Sequence, residues 1–199
     1  MYENTHFVER IAMQRIIDYC TSTWRPKNKE QEINFLKDSD VAYVTSKKIT
    51  STNPGILGEK ATKWIIETEG FKWQTPGKIN GMRPDGYVPE LNLFLEVKTR
   101  SYHIGGSASE KLDSIPRKYS KLLQESNGAK CIVVFAANQM YEKNGKELSD
   151  AFAGVNKLHN AYVNPYTIEF VDLCKKYGII NMIPITHLRI VLHSLKSKI

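Results

Sequence analysis

Cysteine is scarce in this sequence. Cys20, Cys131 and Cys174 are the only three in 199 residues, odd in number and without paired spacing. That excludes a disulfide framework and a cysteine-rich zinc site, and it suits thiols kept reduced inside a cell. Long apolar runs are missing too, since no stretch approaches the roughly 20 residues a membrane-spanning helix needs. The N-terminal MYENTHFVERIAMQRIIDYC mixes charges into an amphipathic pattern and lacks the apolar core of a signal peptide. There is no low-complexity tract and no internal repeat. These absences predict a soluble, intracellular (cytoplasmic) protein with no membrane partner.

What is present is a globular composition, 41% hydrophobic and 25% charged, with a net charge of +7. The length predicts one domain over residues 1–199, with a core at about 56–138 and flanking helical elements. The positive charge makes a polyanion the first partner to consider, although charge argues for affinity and not for chemistry.

Periodicity supplies the elements. Residues 5–20 read as an amphipathic helix through Phe7, Ile11, Ile16 and Ile17, with Thr5 as its cap. RPKNKEQE at 25–32 is polar and breaks that pattern. Residues 56–69 form a second helix closed by Gly70, and FKWQT at 71–75 reads as a short strand. PGKINGMRPDG is dense in turn formers. A strand follows at 91–98, then a loop with adjacent glycines and a helix opened by Pro116. KCIVVFAAN at 130–138 is short, continuous and β-branched, hence a central buried strand. Helices near 147–160 and 166–177, a strand at IINMIPI and a basic helix from Thr186 complete the chain. Strands alternating with helices predict an α/β fold with a central mixed β-sheet flanked by helices.

The unusual stretch is RPDGYVPELNLFLEVKTR, residues 83–100. Side chains two apart on a strand share a face about 6.5 Å apart, so Glu96 and Lys98 lie with Phe94, opposite Leu93, Leu95 and Val97. The pair falls at the carboxyl end of the strand, where open α/β sheets place ligands. A fold-back near Pro89–Glu90 would return Asp85 alongside Glu96. Two carboxylates about 5 Å apart repel by about 3 kcal/mol at an effective dielectric near 20, and a divalent cation with hard oxygen ligands offsets that. Lys98 beside such an ion could orient or deprotonate a water and steady charge on a phosphate. An E-x-K tripeptide by itself is commonplace on salt-bridged strand faces. Asp85 after a proline, the apolar run before Glu96 and the net positive charge favour the chemical reading.

These residues resemble the PD-(D/E)xK nuclease superfamily, with Pro84-Asp85 as the PD and Glu96-Val97-Lys98 as the ExK. The resemblance implies a restriction-endonuclease-like core, Mg²⁺ held at Asp85, Glu96 and Val97, and Lys98 acting on the attacking water. Glu59, in GILGEKATKW, matches the helical glutamate that many members place ahead of the PD. GGSASEKLDSIPRKYSKLL at 105–123 is similar to the segment that follows the ExK strand in some restriction-type nucleases. It implies DNA contacts from Ser107, Ser109, Lys111, Arg117 and Lys118, with Arg83, Arg100 and Asn138 as further contacts. The likeness covers residues 58–137.

The expected activity is therefore a Mg²⁺-dependent, site-specific double-strand DNA endonuclease of type II restriction character, working as a homodimer. A structure-specific repair, recombination or homing nuclease on the same core is the alternative. A basic DNA-binding module whose Asp85, Glu96 and Lys98 form only a surface ion-pair cluster is the non-enzymatic one.

Overall fold

The computed structural model describes residues 2–45, 54–79, 81–104, 119, 122–140 and 179–197, with the backbone alone at 2–6 and 179–182. Among the described residues four helices precede the sheet: α1 (Tyr2–Cys20), α2 (Lys29–Leu36), α3 (Ser39–Thr45) and α4 (Gly55–Thr68). The strands are β1 (Gly86–Val88), β2 (Leu93–Arg100), β3 (Lys130–Ala137) and β4 (Ile179–Pro184), followed by α5 (Leu188–Lys196). The sheet order is β1-β2-β3-β4. β1 runs antiparallel to β2, whereas β2, β3 and β4 are parallel. This is an open mixed sheet with helices, an α/β fold.

Sequence explains the centre of the sheet. Every residue of β3 after Lys130 is buried, as its unbroken run of β-branched and apolar side chains requires. β2 is buried on both faces from Leu93 to Val97 and opens only at Lys98. One face of β2 meets α4, where Val97 and Thr99 lie against Gly58. A Cβ on Gly58 would fall 1.9 Å from Thr99 Oγ1 and 3.1 Å from Val97 Cγ1. Only glycine lets the helix come so close.

Local signals set several boundaries. α4 ends in a double bond, Gly70 N–H to Glu67 C=O at 3.1 Å and Phe71 N–H to Ile66 C=O at 3.2 Å. Gly70 takes the left-handed conformation that closure needs, φ 83°. Between β1 and β2 a 3-10 turn at Pro89–Leu91 ends on Asn92, also left-handed at φ 46°. It returns the chain as the fold-back expected near Pro89–Glu90, with Gly86 opposite Leu95.

Other expectations are corrected. The polar run at 25–32 does not simply break structure: it leads into α2, whose first turn is capped by Asn28 Oδ1 accepting from the Gln31 N–H at 2.9 Å. α1 begins at Tyr2, so Thr5 lies inside it and does not cap it. Its buried stripe is Ala12, Ile16, Tyr19 and Cys20, while Phe7 and Ile11 stay exposed. The strand expected at 71–75 reduces to one bridge, Gln74 with Tyr87. Pro76 has no N–H to extend that pairing. The final helix starts two residues later than expected, after a 3-10 turn at Ile185–His187. The helices expected near 147–160 and 166–177 lie outside the described residues. Among the described residues no helix is long and apolar enough to cross a membrane.

Candidate active site

The hairpin places Asp85 next to the carboxyl half of β2. Its N–H bonds to the Leu95 carbonyl at 3.1 Å, and its Oδ2 accepts from the Val97 N–H at 2.7 Å. The carboxylate thus takes over the ladder position that β1, beginning only at Gly86, leaves open. Glu96 is 1% exposed. Its Oε1 receives the Lys98 Nζ, and its Oε2 receives the hydroxyl of Tyr119, which is fully buried. Asp85, Glu96 and Lys98 are therefore brought together.

The electrostatics follow from that crowding. Burial first, and the Glu96 charge second, push the Asp85 carboxyl from an ordinary 3.8 up to about 7. The Val97 N–H and Lys98 oppose the rise, while Glu59 adds to it. Glu59 itself sits exposed on α4, near enough for its charge to be felt at Asp85. Its place there depends on the Gly58 contact with β2.

Among the described residues no group of three or more carboxylates, imidazoles or thiolates gathers into a metal cage. Two carboxylates do gather, and that donor set suits Mg²⁺, which binds through one or two carboxylates and fills its remaining positions with water and substrate phosphate. A half-buried carboxyl raised by burial and then by the charge of its buried neighbour, with Lys98 and the Val97 N–H only partly opposing the rise, is what such an ion would neutralise. Val97 has only its backbone carbonyl to offer a metal. What the structure records for it is the N–H bond that holds Asp85.

The expected DNA contacts and the aromatic and histidine side chains around the site divide clearly. Arg83 is exposed and Arg100 half-buried. Asn138 gives its amide Nδ2 to the Ser101 carbonyl at 3.2 Å, so that donor is committed within the protein. Ser107, Ser109, Lys111, Arg117 and Lys118 lie outside the described residues. Tyr87 packs on Phe94, ring centroids 4.8 Å apart, and its hydroxyl bonds Asn92 at 3.0 Å. Cys131 is core, as expected. Trp64 is half-buried against the core, with the Arg189 guanidinium 5.9 Å from its ring centre. His103 Nε2 pairs with the Pro26 carbonyl at 2.7 Å, and His193 Nε2 with Glu69 at 2.8 Å.

Two contributors escaped the sequence reading. Tyr119 was visible only as part of a Lys-Tyr helix, with nothing to say that its hydroxyl reaches Glu96. Glu32 is fully buried. Its carboxylate accepts from the Tyr19 hydroxyl at 2.6 Å and from the N–H groups of Tyr102 and His103, both at 2.7 Å. Burial, and then this bond to Glu32, keep the Tyr19 hydroxyl firmly protonated. Glu32 thereby ties α1 and α2 to the backbone immediately after β2.

Comparison with models of known protein families, with characterised proteins and with solved structures finds no match to this chain.

A pH dependence follows from Asp85. Its folded value, about 7, lies above its unfolded one, so between about pH 4 and 7 the folded state holds a proton that the unfolded chain has released. Stability contributed by this group is therefore fully present below about pH 4 and is lost as pH rises towards 7. Asp85→Asn should flatten that part of the profile, measured as the urea midpoint at pH 5 and 7.5 in excess chelator. Mg²⁺ should restore the wild type more at pH 7.5 than at pH 5, because binding requires the deprotonated carboxylate. A wild-type profile unchanged by Asp85→Asn would contradict the crowding described here.

Proposed function

We propose that this chain is a Mg²⁺-dependent, site-specific DNA endonuclease with a restriction-endonuclease-like core of the PD-(D/E)xK superfamily, acting as a homodimer. The observation that carries the reading is the pairing of Asp85 with Glu96 beside Lys98, at the carboxyl end of a buried strand in a mixed sheet. Asp85, Glu96 and the Val97 carbonyl would hold the ion. When bound, Mg²⁺ lowers the pKa of its water and neutralises charge on the phosphate. Lys98, held on Glu96 as the ammonium, would orient the attacking water by donating a hydrogen bond to it and face the phosphodiester with its charge, the water's proton passing to a phosphate oxygen or to solvent. Tyr119 fixes the second oxygen of Glu96, so the carboxylate turns neither away from the site nor into the core.

The +7 net charge supplies the attraction to a polyanion. One site cuts one strand, so cutting both strands of a symmetric sequence calls for a two-fold pair of subunits. The decisive experiment is digestion of a sequenced viral genome with and without Mg²⁺, followed by mapping of the ends. Discrete fragments with a common terminal sequence, formed only with the metal, are expected. Cleavage confined to flaps or junctions would assign the same site to a structure-specific nuclease. No hydrolysis of any DNA with Mg²⁺ or Mn²⁺ would overturn the proposal.

A further inference from the structure

A cavity of about 430 Å³ lies between α1 and α2 and shares no lining residue with the carboxylate pair. Pockets for small ligands span roughly 300–1,000 Å³. Trp24 and Phe35 form its aromatic wall, with ring centroids 5.0 Å apart, Phe35 buried and Trp24 half-buried. A second wall is an ion pair. There Asp38 Oδ2 accepts from Arg15 at 2.9 Å, and Oδ1 caps α3 through the N–H groups of Asp40 and Val41. The neighbouring guanidinium, with the backbone donors, outweighs burial and holds the Asp38 carboxyl below its usual range, so this wall stays charged and paired.

Three other lining groups keep hydrogen-bonding capacity to spare among the described residues. Asp18 uses only Oδ1, accepting from Gln14 at 2.8 Å. Gln31 uses only Oε1, accepting from the Lys27 N–H at 2.6 Å. Asn34 lines the cavity with its amide unengaged. Between Trp24 and Gln31 the chain carries Lys27 and Lys29, both exposed.

The indole of Trp24 for stacking, a carboxylate acceptor and two amides for a base edge, and lysines on the chain between Trp24 and Gln31 for a phosphate are together groups that a nucleotide can use. We infer that this cavity binds a single unstacked nucleobase, stacked on Trp24, its edge bonded by Asn34, Asp18 and Gln31, and its phosphate drawn to Lys27 and Lys29. Aromatic stacking accepts any base, and side-chain amides match the donor and acceptor pattern of base edges. The base can belong to a free nucleotide or to one splayed from a strand. This site needs no metal and is independent of the cleavage reading.

The test is tryptophan fluorescence in excess chelator with three probes: dAMP, the octamer (dA)8, and 2-deoxyribose 5-phosphate as the baseless control. Saturable quenching by dAMP or (dA)8 is expected, abolished in Trp24→Phe. Asn34→Ala, an exposed change that spares the core, should weaken binding about 5- to 100-fold, the range of one lost two-point contact to a base. Tighter binding of the octamer identifies a strand as the source of the base, and equal binding identifies a free nucleotide. Absence of quenching, quenching that survives Trp24→Phe, or equal binding of the baseless sugar phosphate would each overturn the assignment. Because no Mg²⁺ is present, neither a failed nor a successful cleavage assay alters this result.

Discussion

Lys98→Ala is expected to lower Mg²⁺-dependent DNA cleavage by about 10²–10⁴-fold, the usual contribution of a positioned acid–base group, while DNA binding stays within a few fold. The reason lies in what its ammonium touches. Lys98 is the cationic partner of Glu96 Oε1, and its side chain is 19% exposed, so it stands at the one place where β2 passes from core to solvent. Removing it would delete the group proposed to orient the nucleophile and would leave the carboxylate pair less balanced. Lys98→Arg keeps the charge but replaces a compact ammonium with a planar fork, and should restore binding geometry without restoring most of the rate. Binding is measured by mobility shift in Ca²⁺ or chelator, cleavage by fragment release, and folding by circular dichroism. A folded Lys98→Ala protein that cuts at the wild-type rate would remove the lysine from the mechanism.

The second large effect concerns stability. Glu32→Ala should cost about 2–4 kcal/mol, because it strands the buried Tyr19 hydroxyl and two part-buried N–H groups that now share one carboxylate. Those donors are the Tyr19 hydroxyl and the N–H groups of Tyr102 and His103. Glu32→Gln should fall between alanine and wild type, since the amide keeps one acceptor oxygen and turns an NH₂ towards a donor. Urea denaturation of the three proteins at neutral pH checks the order. A cost below about 1 kcal/mol for alanine would mean that the chain after β2 is held by other contacts. Cleavage should suffer along with stability, because the backbone that Glu32 grips leaves β2 only a few residues beyond Lys98.

How much of this was legible in the sequence depends on the range of the forces involved. β3 was readable because a central parallel strand must be apolar on both faces, and KCIVVFAA is. The end of α4 was readable because Gly70 alone can take the left-handed turn that the last carbonyls require. The return of Asp85 to Glu96 was readable from a short hairpin whose turn is set by Pro89 and Asn92. α2 was obscured because its polar start imitates a loop, and its cap, Asn28, is also a good turn former. Half of the α1 stripe holds, with Ile16 buried and Ile17 against the core, while Phe7 and Ile11, which fit the periodicity as well as Ala12 and Tyr19 do, are exposed. Which stripe is buried depends on where α3 and α4 dock.

By itself the sequence determined the three parallel strands, the hairpin and the meeting of two carboxylates with a lysine, since all of these rest on neighbours along the chain and on side-chain period. Tertiary structure alone decided that Glu32 is a buried anchor and not a solvated helix charge, that Tyr119 reaches Glu96, and that Gly58 lets α4 settle on Thr99. The physical reason is that a polar side chain declares nothing about its burial. Its partner lies dozens of residues away, and only the packing of the whole chain brings donor and acceptor within 3 Å.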